Sequence, residues 1–181
     1  MNIWGIFLRL TGWTVEITAP HRDKCVICVA PHTSNWDFIL GLSAYRSLGR
    51  KANFLMKSFW FFFPLKYLMR SLGGIPVARN NKRNGLTEEV IQTFRESSYM
   101  NLAVTPEGTR SARKDWHTGF LRIAYGAHVP VQLGIIDYSK HKIIIRDELR
   151  LSGDISLDMQ HVKEYYASYA NAAKYPEKFS L

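Results

Sequence analysis

Residues 30–37 read APHTSNWD, and they separate an apolar run from a segment with helical apolar spacing. The apolar run, residues 25–30, has the length of a buried strand, and the segment from about residue 36 to residue 48 has the length of a helix. Ser34 or Asn35 is expected to cap that helix. A buried strand therefore delivers His32 to a tight turn from which a helix begins directly.

His32 and Asp37 are the two titratable side chains of this turn. Five positions apart across a strand-to-helix turn, they can form an imidazole–carboxylate pair that takes a proton from an alcohol. The alternative is structural, with Asp37 serving the helix N-terminus and His32 a turn histidine whose hydrogen bonds are satisfied. The spacing alone leaves both interpretations open.

Strands and helices alternate along most of the chain. Apolar patterns predict strands near residues 13–17, 25–30, 53–56, 100–104, 129–136 and 142–145, and helices near residues 2–10, 36–48, 85–97, 116–127 and 157–171. Residues 73–79 are expected to form a glycine turn and a short extended piece that ends in an arginine. This order predicts an α/β fold: a central mixed sheet covered by helices on both faces, with an antiparallel pair near the end. The length of 181 residues suits a single domain.

Within that domain, residues 1–20 are expected to form an N-terminal helix and a short strand, and residues 25–137 the motif-bearing core. The tail from Lys174 is expected to fray. Cys25 and Cys28 lie three positions apart in a strand, so their side chains should point to opposite faces, which disfavours a mutual disulfide.

The chain is basic, with 24 lysines and arginines against 15 acidic residues and a net charge of +9. Such a balance favours an anionic partner: a nucleic acid, a phospholipid surface or a small phosphorylated substrate. No uncharged apolar run approaches the roughly 18 residues of a spanning helix, so any membrane contact is expected to be peripheral.

Two apolar segments are candidates for that contact. Residues 58–72 read SFWFFFPLKYLMRSL, and within the run of five aromatic residues the side chains of residues 60–63 cannot all face one core from a helix. Part of this cluster should be exposed or line a groove, and Lys66 and Arg70 would suit an anionic lipid surface. The alternative is a buried helix between the sheet and its loops. The N-terminal helix could equally lie in a lipid interface or pack on the domain.

A second notable stretch, Glu107 to Ser111, reads EGTRS and follows a predicted strand. Glycine allows the backbone to approach a ligand closely. Hydroxyl and backbone N–H groups can donate to phosphate oxygens, and Arg110 can bind a phosphate through two nitrogens. A plain turn is the alternative.

Together these stretches resemble the glycerolipid acyltransferase family, which includes the 1-acylglycerol-3-phosphate acyltransferases. The matching blocks are the His-x4-Asp pattern at residues 32–37, a glycine-led piece ending in arginine at residues 73–79, EGTRS at residues 107–111 and Val-Pro-Val at residues 129–131. Order and rough spacing agree across residues 25–137. Several positions depart from the common pattern: Pro76, Ala78, Thr105, residues 116–118 before Gly119, and Gln132. These departures bear on the substrate more than on the reaction.

The resemblance implies a mechanism. His32 would act as the general base on an acceptor hydroxyl, and Asp37 would orient the imidazole. The donor would be an acyl-CoA or acyl-carrier-protein thioester, with no bound cofactor and no metal. The acceptor phosphate would be held by Arg79, Glu107, Gly108, Thr109, Arg110 and Ser111. Because a carboxylate repels phosphate, Glu107 is expected to orient Arg110 or backbone donors.

The implied acceptor is a lyso-phospholipid, first of all 1-acylglycerol-3-phosphate, in phospholipid biosynthesis at the cytoplasmic, inner face of the cell membrane. A lyso-amino-acid lipid is an alternative acceptor. In a different class, the chain would be a basic membrane- or nucleic-acid-binding module without catalysis. The densest basic segment, residues 79–83, contains none of the stacking aromatics typical of nucleic-acid binding. The other histidines show no paired spacing typical of a metal-dependent hydrolase.

Overall fold

A seven-stranded sheet runs through the computed structural model, which describes residues 2–77 and 83–181 except for the side chains of residues 83 and 84. The strands are β1 (Thr14–Ile17), β2 (Lys24–Val29), β3 (Asn53–Lys57), β4 (Gly74–Val77), β5 (Met100–Val104), β6 (Val131–Asp137) and β7 (Lys142–Leu149). The α-helices among the described residues are α1 (Ile3–Leu10), α2 (Trp36–Ser47), α3 (Leu65–Leu72), α4 (Arg83–Glu96), α5 (Gly119–Ala127) and α6 (Ile155–Ala167). Short 3-10 helices lie at Ser58–Trp60, Ala170–Ala172 and Pro176–Lys178.

The strand order is β1-β7-β6-β2-β5-β3-β4. All neighbouring strands are parallel except β6 and β7, which form an antiparallel pair. The predicted α/β fold with a mixed sheet is therefore confirmed. Parallel β2, β5 and β6 end at the same edge of the sheet, so the turns that follow them meet there.

Helices cover both faces of the sheet. On one face, Phe94 of α4, Leu121 of α5 and Tyr166 of α6 share a core with Cys28 of β2. On the opposite face, Cys25 of β2 belongs to a separate buried cluster. The two cysteines therefore point to opposite faces, as their spacing predicted, and both thiols are free. Burial raises the pKa of each thiol, that of Cys25 to about 12.

The N-terminal helix packs on the domain. Leu8 of α1 is buried in a cluster with Leu40 and Ala44 of α2, while Ile3 and Leu10 remain exposed. Within the described residues, no helix has both the length and the apolar character needed to cross a membrane.

The prediction of a frayed tail is wrong. The ring of Phe179 lies 5.8 Å from that of Trp116, and the indole N–H of Trp116 donates to the carbonyl of Ser180 at 3.0 Å. The backbone N–H of Tyr175 donates to the hydroxyl of Thr33 in the His32 turn at 3.2 Å. One aromatic anchor and two hydrogen bonds hold a segment whose composition alone indicates mobility.

Candidate active site

Two turns at the carboxyl edge of the sheet form the site. Cys28 of β2 pairs with Val104 of β5, so both strands deliver their turns to the same place. The turn after β2 carries His32, and the turn after β5 carries Glu107. A hydrogen bond of 2.7 Å joins them, from the backbone N–H of His32 to Oε1 of Glu107.

His32 and Asp37 form the imidazole–carboxylate pair that their spacing suggested. Nδ1 of His32 lies 3.0 Å from Oδ2 of Asp37. The side chain of Asp37 is only 3% exposed, whereas that of His32 is 19% exposed. The imidazole of His32 is therefore partly accessible to a ligand, while the Asp37 carboxylate is shielded from water.

The carboxylate of Asp37 is held from several sides. Its Oδ2 also accepts the backbone N–H groups of Thr33 and Ser34, at 3.0 and 2.9 Å. Its Oδ1 accepts the hydroxyl of Tyr138 at 2.6 Å. All these groups donate to Asp37, as an ionised carboxylate requires. Helix α2 begins beside it, and Ser34 rather than Asn35 supplies the side-chain cap, accepting the backbone N–H of Trp36 at 3.2 Å.

Tyr138 is a site residue that the sequence analysis missed. It directly follows β6, the third parallel strand ending at this edge, and its ring packs against Trp13 at 5.0 Å. Burial, together with the neighbouring Asp37 carboxylate, raises the pKa of Tyr138, so its hydroxyl keeps the proton that it donates. Its position directly after a strand of this edge is the signal that could have identified it.

Glu107 is fully buried. Its Oε1 accepts the main-chain N–H of His32, and its Oε2 has no hydrogen-bond partner among the described residues. Burial raises the pKa of Glu107 to about 7, and the nearby charge of Asp37 raises it further. The hydrogen bond from the His32 backbone acts in the opposite direction and lowers this pKa. This placement favours an orienting role on a backbone donor over direct contact with a substrate.

The rest of the EGTRS stretch lies in the same turn. Gly108 has a φ of 65°, and a Cβ built there would lie 2.6 Å from Cδ2 of His117, so the ring of His117 lies directly against the glycine. Arg110 is exposed and donates to the side-chain oxygen of Asn35. The hydroxyl of Thr109 accepts the backbone N–H of Ser111 at 3.4 Å. Arg79, the remaining predicted phosphate ligand, lies outside the described residues.

A cavity of about 880 Å³ opens beside the two turns. His32, Asp37 and Gly108 lie on its wall, as do the cationic or titratable side chains of His117 and Arg122. The other wall residues are largely apolar and include Phe38, Leu42, Tyr45, Phe54, Leu55 and Met56. The cavity thus combines a histidine–aspartate pair with an apolar space large enough for an aliphatic chain.

Comparison with known families gives one match. The family model described as Acyltransferase matches residues 14–134, a span that runs from β1 into β6 and includes both turns. A comparison with curated proteins finds no match.

Proposed function

The chain belongs to the acyltransferase family, and we propose that it transfers a fatty acyl group from an acyl-CoA or acyl-carrier-protein thioester to a hydroxyl of a lyso-phospholipid. The acceptor proposed first is 1-acylglycerol-3-phosphate. The observation that carries the proposal is the His32–Asp37 pair, at 3.0 Å, on the wall of a largely apolar cavity.

The His32–Asp37 pair is proposed to accept and then return the proton of the chemical step. When Nδ1–H of His32 donates to Asp37, the lone pair of Nε2 is free to accept the proton of the acceptor hydroxyl. The oxygen attacks the thioester carbonyl, the carbon–sulfur bond breaks, and the thiolate takes the proton from the imidazolium. Asp37 keeps the ring in this tautomer and stabilises the imidazolium, while Tyr138 and two backbone N–H groups hold Asp37.

Direct transfer requires no nucleophilic side chain, because a thioester is already an activated acyl donor. The two cysteines of the chain are unsuited to that role. Cys25 and Cys28 are buried within β2, and burial raises the pKa of both thiols, which disfavours the reactive thiolate.

The EGTRS turn is the proposed binding site of the acceptor phosphate. Gly108 leaves the backbone accessible, and Thr109, Arg110 and Ser111 offer hydroxyl, guanidinium and amide donors. Arg79 belongs to the same proposal as a second cation. Replacing Arg110 by alanine should raise the KM for a phosphorylated acceptor, whereas the matched change Arg113→Ala should not.

The proposal is tested with the purified protein and a labelled acyl group. Both thioester donors are offered with lysophosphatidate, with a zwitterionic lyso-phospholipid and with a lyso-amino-acid lipid. Labelled phosphatidate as the main product supports the proposal. Labelled product from the lyso-amino-acid lipid alone moves the assignment to that acceptor, and no acylated product from any combination refutes acyl transfer to lipids. On this proposal, the protein acts in phospholipid biosynthesis at the inner face of the cell membrane.

A further inference from the structure

The positive charge of the chain is concentrated in one segment. Residues 38–87 contain nine lysines and arginines and no aspartate or glutamate. The rest of the chain carries fifteen residues of each sign. The net charge of +9 therefore belongs entirely to this segment, and the remainder of the chain is balanced.

The same segment exposes the densest group of large apolar side chains. We call this group the aromatic face, and it consists of Phe59, Trp60, Phe62, Phe63, Tyr67 and Leu68. Phe59 and Phe63 are the most exposed of the group, at 76% and 74%. Helix α3 contains no buried residue, so the alternative of a buried helix is wrong for this part of the chain.

Cations lie among these side chains. Lys57 and Arg70 are exposed, and Nζ of Lys66 lies 5.1 Å from the centre of the Tyr67 ring. Apolar rings flanked by lysine and arginine are the composition that partitions into the headgroup region of an anionic bilayer. A cluster of apolar side chains this large is also unusual on a monomer that meets only water.

A row of rings leads from the aromatic face to the reaction cavity. The rings of Phe61 and Phe54 both come within 3.3 Å of a Cβ built at Gly74, so the two rings meet at this glycine. Phe54 then packs on Phe38 at 4.6 Å between ring centres, and both line the cavity. These three apolar side chains thus lie between the aromatic face and the cavity.

We propose that the aromatic face docks on an anionic phospholipid bilayer and that lipid substrates enter the cavity from this side, along Phe61, Phe54 and Phe38. The docking surface stands on exposure and charge alone, whereas the entry route rests on the proposed function. The partner is a lipid surface because this face combines exposed apolar rings with cations, whereas positive charge alone would suit any polyanion.

Vesicle co-sedimentation tests the docking surface without reference to activity. Vesicles of phosphatidylcholine alone are compared with an equal mixture of phosphatidylcholine and phosphatidylglycerol, at low and at high salt. The variants are Phe59→Ser/Phe63→Ser and Lys66→Glu/Arg70→Glu. The matched controls are Leu157→Ser, an exposed leucine of α6, and Arg150→Glu, an exposed arginine after β7.

The wild type should bind the anionic vesicles, more weakly at high salt. Each phenylalanine lost should weaken vesicle binding about tenfold or more, so the variant Phe59→Ser/Phe63→Ser, which loses both, should bind far more weakly than the wild type. Charge reversal should abolish the preference for anionic vesicles, and both controls should bind as the wild type does. Wild-type binding by the phenylalanine variant overturns the docking surface. The docking surface is also overturned if the phenylalanine variant changes its oligomeric state but not its vesicle binding, because the aromatic face would then bind a protein partner.

The entry route is tested by acyl transfer with two acceptors, one embedded in vesicles and one short-chained and monomeric. The phenylalanine variant should lose rate on the embedded acceptor and keep it on the monomeric one. Equal losses on both acceptors overturn the route. A wild type inactive on both contradicts the proposed function and with it the route, while the co-sedimentation series still decides the docking surface.

Discussion

The buried carboxyl of Glu107 makes the stability of the protein depend on pH in a defined way. Its pKa rises from 4.5 to about 7 on folding, because burial disfavours the charge. The folded state therefore holds the proton more tightly than the unfolded state. The stability contributed by Glu107 is complete below pH 4.5, falls as the pH rises toward 7 and then levels off.

The size of the effect follows from the same linkage. A pKa displaced from 4.5 to about 7 corresponds to about 3 kcal/mol of unfolding free energy between the two limits. Glu107→Gln replaces the carboxyl with a group that cannot ionise and that still offers an oxygen to the backbone N–H of His32. The variant should lack this part of the pH dependence.

Urea denaturation at pH 5 and at pH 8 measures the effect for the wild type, for Glu107→Gln and for the exposed control Glu88→Gln. The wild type and the control should lose about 2.5 kcal/mol more than Glu107→Gln between the two pH values, since most of the titration falls inside this interval. The same loss in all three proteins would show that Glu107 titrates normally and would refute the reasoning.

Two further substitutions probe the support of the site. Tyr138→Phe removes the hydrogen bond to Asp37 and, because Tyr138 is only half-buried, should lower the free energy of urea unfolding by about 1.5 kcal/mol. The value of kcat/KM should fall about tenfold. A fall as small as that of the remote control Tyr165→Phe would contradict the positioning role. Gly108→Ala should destabilise the protein by about 1–2 kcal/mol because the left-handed φ of 65° disfavours a side chain. Acyl transfer should also fall, because the new Cβ displaces the ring of His117. If the variant unfolds at the same urea concentration as the wild type, the turn adapts to the side chain and this reasoning is wrong.

The central part of the fold is readable from the sequence because its signals are local. The apolar run before His32 and the polar capping residue after it specify a strand, a turn and a helix without reference to the rest of the chain. The alternation of such units predicts parallel strands, and parallel strands bring the turns at His32 and Glu107 to one edge.

The parts that the sequence did not reveal depend on long-range contacts. Tyr138 is 101 positions from Asp37. Its place directly after β6 indicates the edge of the sheet at which it lies, but no local pattern identifies Asp37 as its hydrogen-bond partner. The C-terminal segment contains Phe179, but nothing in the neighbouring sequence indicates its partner, so the contact with Trp116 can be seen only when the two are close in space. The sequence does not decide how far residues 58–72 are exposed, because an apolar stretch has the same composition whether it faces a core or a membrane.

Acyl transfer by the variant His32→Ala tests the central claim most directly. Turnover of a labelled acyl thioester is compared in the wild type, in His32→Ala and in the control His161→Ala, an exposed histidine of α6, with thermal unfolding recorded for each. We predict a loss of about 10²–10⁴-fold for His32→Ala, the usual contribution of a positioned base, with unfolding unchanged. Turnover by His32→Ala at the level of the wild type and the control would contradict the assignment of His32 as the base.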